Sequence, residues 1–168
     1  MKELLNEEEF DPKKLFDKSE YNTLIIGREG FTKGENDIAD VLESLFEKDI
    51  TRPMREAIFA QLKEMNAVDR LVNTIKETKS REQQAILTEA CWESGLDFKD
   101  HYLFFVDLAC IDHFQLAHEA ITVLEYNETR PSEEILQKAL NMVNATKSTQ
   151  AALIEELKSL LKENHSGI

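Results

Sequence analysis

Glycine and proline are scarce in this 168-residue chain, at five and three residues. All-β sandwiches and loop-rich scaffolds need many more turn residues, so a helical protein is favoured. Cysteine is scarcer still. Cys91 and Cys110 are too few and too far apart for a disulfide framework or a metal knuckle, and both fall inside apolar helical patterns. They read as reduced, buried thiols. No run of roughly 18 apolar residues exists, and the opening MKELLNEEEF is acidic where a signal peptide is basic and then apolar. A soluble, cytoplasmic protein without membrane contact is expected. Basic charge is also in deficit: 20 Lys and Arg stand against 33 Asp and Glu, a net charge of -13. Such a chain repels a phosphate backbone, which argues against nucleic acid as a partner.

What is present is an apolar fraction of 42%, enough for one core at a length typical of a single domain. Asp11-Pro12 opens a short helix at most. From Lys18 to Gly34 no helical period holds, and Gly27, Gly30 and Gly34 interrupt the chain. The segment Gly27–Gly34 fails as a phosphate loop, because Lys33 precedes Gly34 instead of Ser or Thr. Residues 1–35 therefore read as a short helix plus an irregular capping segment, and residues 36–168 as the helical domain.

Within that domain the punctuation is regular. Asn36 can cap a helix to about Lys48, with Ile38, Val41, Leu42 and Leu45 on one face. Thr51 with Pro53 opens a second. A third spans about Val68 to Thr78, and Ser80 and Gly95 bracket a fourth. A fifth runs from about Phe98 to Ile111, and Asp112 can cap a sixth ending near Asn127. Pro131-Ser132-Glu133-Glu134 starts a seventh, with acidic residues where the helix dipole favours them. Ser148 caps the last, amphipathic through Leu153, Ile154, Leu157, Leu160 and Leu161.

The chain also repeats itself. Arg55-Glu56-Ala57-Ile58, Gln83-Gln84-Ala85-Ile86 and His118-Glu119-Ala120-Ile121 each fall early in the second helix of a pair, at offsets of 28 and 35 residues. The preceding helices match too: Ile38, Val41, Leu42 and Leu45 recur as Val68, Leu71, Val72 and Ile75, then as Tyr102, Phe105, Val106 and Ala109. These pairs resemble HEAT or armadillo-type repeats over about residues 36–165. The resemblance implies a short right-handed α-solenoid of about four stacked hairpins, with small tetrad alanines at helix contacts. Tetratricopeptide repeats fit less well, since their Trp, Gly and Tyr positions find no consistent match. An ordinary helix bundle is the other architecture open to eight amphipathic helices.

No catalytic or metal signature stands out, and no cofactor is implied. His113 and His118 are five residues apart and point about 140° from each other on a helix, where a ligand pair needs a spacing of three or four. Neither cysteine has an activating neighbour at helical reach. Charge is more informative: residues 81–128 carry ten acidic and two basic side chains. Glu82, Glu89 and Glu93 fall within roughly 40° on the fourth helix, as a stripe, with Trp92 at the edge of the apolar arc. On the sixth helix the polar arc holds Gln115, His118, Thr122, Glu125 and Tyr126, with Glu119 at its edge. The expected function is a non-enzymatic adaptor that binds a protein or peptide, of basic character, through this acidic face. The stripe is expected to matter for binding and little for stability. The resemblance leaves open a HEAT-like enzyme such as a bilin lyase, or a structural subunit of a homo-oligomer. A DNA glycosylase of this kind needs a basic groove, and the segment expected to line a groove here is the most acidic one, which argues against it.

Overall fold

Short polar side chains open the helices. Thr51, Ser80 and Ser132 each accept a hydrogen bond from the backbone N–H three residues on, at 3.4, 3.3 and 3.4 Å. Each satisfies a donor that the first helical turn leaves without an intrahelical partner. Pro53 sits in the first turn, where a missing N–H costs nothing. Gly95, at φ 65°, ends a helix in the left-handed region that a side chain rarely adopts.

The computed structural model describes residues 36–166, and within them these signals delimit eight α-helices. They are α1 (Asn36–Ser44), α2 (Arg52–Glu64), α3 (Val68–Glu77), α4 (Arg81–Glu93), α5 (Tyr102–Ala109), α6 (Phe114–Tyr126), α7 (Glu133–Ala145) and α8 (Ala151–Ser166). A 3-10 turn, Lys99–His101, leads into α5. The protein is all-α: no strand occurs among the described residues.

Apolar spacing sets which face each helix buries. On α3, Leu71, Val72 and Ile75 are fully shielded from solvent. On α5, Tyr102, Phe105, Val106, Leu108 and Ala109 are buried. Each large side chain of this kind stabilises the fold by about 1.5–3 kcal/mol relative to exposure. The Tyr102 hydroxyl accepts from Asn164 Nδ2 at 3.4 Å, which ties α5 to α8, and burial pushes its phenol pKa up.

Helices pack on the next in the chain, as in α1 on α2, α3 on α4, α5 on α6 and α7 on α8. They also pack on the next but one, as in α5 on α7 and α6 on α8, and among the described residues the broadest contact joins α4 to α6. Of the tetrad alanines, Ala85 and Ala120 are fully buried, whereas Ala57 is half-buried.

Several boundaries differ from the sequence reading. The first helix stops at Ser44 rather than near Lys48, because Leu45, Phe46 and Glu47 donate to carbonyls three residues back and wind the chain into turns. The sixth helix is capped by His113, whose Nδ1 accepts from Leu116 N–H at 3.3 Å. Asp112 is occupied elsewhere: its Oδ1 accepts from Thr149 Oγ1 at 2.7 Å and from Ser148 Oγ at 3.5 Å. The last helix begins at Ala151, and Ser148 instead accepts from Gln150 N–H at 3.0 Å, one turn early. Cys91 is buried as expected, but Cys110 is only half-buried. The short helix at Asp11 and the irregular segment Lys18–Gly34 lie outside the described residues.

Candidate interaction groove

Three helices, α2, α4 and α6, line a groove of about 310 Å³. From α2 come Arg52, Arg55, Glu56 and Phe59, spaced so that all four share one helical face. From α4 come Trp92 and Glu93, and from α6 Tyr126. Four of these seven side chains carry charge, so their pairing decides what the groove can hold.

Arg55 is the hub. Its Nη2 lies 3.0 Å from Glu89 Oε2 and 3.2 Å from Glu93 Oε2, and its guanidinium sits 5.5 Å from the centre of the Phe59 ring. Burial works to lower its pKa, but the hydrogen bonds and attraction from the two glutamates prevail and hold it above the ordinary value. Arg52 pairs with Glu56 at 2.9 Å, one turn along α2. Each arginine of the groove therefore already has a carboxylate, and Arg55 has two.

Trp92 is half-buried and anchored: its indole Nε1 donates to Glu119 Oε2 at 2.8 Å, from α4 to α6. Its ring lies 5.3 Å from that of Tyr126 at a tilt of 37°. Burial raises the Glu119 pKa; the Trp92 hydrogen bond and His118 oppose the rise, and the charges of Glu89 and Glu93 add to it. Tyr126 keeps 65% of its area exposed.

The structure divides the expected acidic stripe. Glu89 and Glu93 meet at Arg55, while Glu82 stands about 10 Å away along the axis at 1.5 Å per residue. There Glu82 accepts from Ser80 Oγ at 2.9 Å and lies 3.7 Å from His113 Nε2. Its pKa falls because its own backbone N–H and the Ser80 hydroxyl donate to it, with His113 adding attraction. The two polar arcs do lie together, joined through Trp92, Glu119 and Tyr126. Gln115, His118 and Glu125 are exposed along α6, and Thr122 is half-buried with its hydroxyl donating to the His118 carbonyl at 3.0 Å.

Sequence reasoning missed Arg52, Arg55, Phe59 and Phe114. Arg55 was visible only as a tetrad position, and nothing local marks its pairing with residues a hairpin away. Phe114 is 66% exposed and stacks on His118, with ring centres 6.1 Å apart and planes 5° from parallel. It reads in sequence as the first apolar residue of its helix.

The other histidines have partners of their own: His101 Nε2 lies 2.7 Å from Asp69 Oδ1, and His165 Nδ1 lies 2.9 Å from Glu133 Oε1. No three metal-ligating side chains converge among the described residues. Burial raises the pKa of both thiols, so neither cysteine is activated as a nucleophile. No helix among the described residues is long and apolar enough to cross a membrane. No protein-family model, curated protein or solved structure matches this chain.

Proposed function

We propose that this protein is a non-enzymatic adaptor: a HEAT-like stack of helical hairpins whose second helices, α2, α4 and α6, dock a protein or peptide of basic character. The contact pattern supports the stacking part of this reading. Second helices α4, α6 and α8 pack in sequence, as do first helices α5 and α7, which is how successive repeats share a core.

The observation that carries the docking part is the placing of exposed aromatics on an acidic face. Among the described residues the exposed large apolar side chains are Met65, Phe114 and Tyr126, and two of the three lie on α6. Around them α4 and α6 carry Glu82, Glu89, Glu93, Glu119 and Glu125 against Arg81, and even with Arg55 of α2 shared between Glu89 and Glu93 the carboxylates remain in excess. Phe114 and Tyr126 stand at opposite ends of α6, about 18 Å apart along its axis, and each offers a separate aromatic anchor in a negative field that first attracts a basic partner.

The test is capture of cross-linked partners from cells of origin with wild-type protein and with a Glu82→Lys, Glu125→Lys double variant. Both positions are exposed, so folding is retained. Proteins with basic segments should be held by wild type and lost by the variant. The same set held by both would overturn the reading.

A further inference from the structure

We propose that the Trp92–Tyr126 pair is the seat of an arginine side chain of the partner, with Glu93 as its carboxylate. The proposal rests on the docking face described above and names what that face recognises.

The aromatic half of the seat is preset. Trp92 cannot swing freely, because Glu119 holds its indole nitrogen at 2.8 Å. Tyr126 packs on it at 5.3 Å and presents the rest of its ring to solvent. An exposed ring beside an anchored one offers a flat face to which a cation is drawn by the ring's negative quadrupole. A guanidinium suits that face better than an ammonium, since it is planar and more weakly hydrated, and so loses less on leaving water.

The charged half follows from the ion pairs. Arg52 is matched by Glu56, and Arg55 by both Glu89 and Glu93. Two carboxylates on one guanidinium leave a surplus negative charge beside Trp92. Glu93 can turn toward an incoming cation while Arg55 keeps Glu89, so binding strands no buried charge. The molecule already holds one guanidinium in this manner, since Arg55 lies over the Phe59 ring with the same glutamate at 3.2 Å. The seat is a second instance of that arrangement, one helix along.

The chain contains one tryptophan, so its fluorescence reports on the seat alone. The full protein is titrated with hexa-arginine amide and with hexa-lysine amide, following Trp92 emission and, in parallel, heat of binding. Near physiological ionic strength hexa-arginine should change the emission saturably and bind about five-fold more tightly than hexa-lysine. Tyr126→Ala should weaken hexa-arginine about five- to tenfold, and Tyr126→Phe should restore it, as removal of one cation–π face requires. Glu93→Gln should weaken it as well, while the remote exposed change Glu163→Gln leaves it unaltered.

Heat of binding with silent Trp92, equal affinity for both peptides and no effect of Tyr126→Ala would overturn the arginine seat and leave the acidic docking face standing. Absence of binding to both peptides, with neither heat at two temperatures nor any change in emission, would overturn both.

Discussion

The indole Nε1 of Trp92 and the carboxylate of Glu119 meet at 2.8 Å, a hydrogen bond between helices whose residues stand 27 apart in the chain. It fastens α4 to α6 at the rim of the groove and fixes the orientation of the only tryptophan. Burial at this contact has an electrostatic consequence that the bond itself opposes. A carboxylate drawn out of water, with Glu89 and Glu93 nearby, is held in charged form less readily than a free one.

The sign of the pH dependence follows. The Glu119 pKa is raised in the folded protein, so across the interval between its unfolded and folded values the native state binds more protons. Stability from this group is therefore greatest at low pH and declines as pH rises through the folded value. Trp92 emission should titrate above the usual glutamate range. Glu119→Gln keeps an acceptor for the indole and should abolish that titration without lowering neutral-pH stability. A titration unchanged in the variant would assign it to another group.

Ala85→Leu and Ala57→Leu should differ. Ala85 has no exposed area and no room to grow, so overpacking there costs about 1 to 3 kcal/mol. Ala57 is half-buried and should tolerate the longer side chain at a fraction of that. Urea unfolding of the two variants checks this, and equal midpoints would refute the packing register that puts Ala85 at a tight helix–helix contact.

Gln84 is a buried polar side chain with a structural task. Its Nε2 donates to the Ile75 carbonyl at 2.9 Å and its Oε1 accepts from Arg81 Nη1 at 2.8 Å. Gln84→Leu fills similar space but strands that carbonyl at the end of α3, which should cost about 1–3 kcal/mol. Native-state hydrogen exchange should show the loss concentrated in the α3–α4 hairpin; uniform loss or none would contradict it.

How much of this was legible depended on the reach of each interaction. Thr51, Ser80, Ser132 and Gly95 act on backbone within a few residues, so their roles were readable from local spacing. Apolar periodicity gave the buried faces of α3 and α5 for the same reason. The cap of α6 went to His113 because Thr149, 37 residues away, claims Asp112, and no local pattern shows that. The acidic stripe was legible as a helical face and misleading as a surface. Its members Glu89 and Glu93 belong to Arg55, on a helix that sequence alone does not place beside them.

Arg55 therefore decides what a charge change on this face does. Reversing Glu89 and Glu93 to Lys would set two new cations against Arg55 and should cost more than the roughly 0.5 kcal/mol typical of a surface site. Arg55→Met is the cleaner probe, because a methionine keeps an apolar stem over Phe59 while removing the charge. The lost ion pairs are partly exposed, so stability should fall by no more than about 1 kcal/mol. The two glutamates are left without their cation, and the groove becomes more negative. Association with hexa-arginine should then quicken at low salt and converge on the wild-type rate as screening shortens the field to a few ångströms. Stopped-flow mixing at both salts measures this directly. A slower low-salt rate for Arg55→Met would mean that Arg55 orders the seat instead of competing for its carboxylates, and the account of Glu93 as a shared ligand would fail.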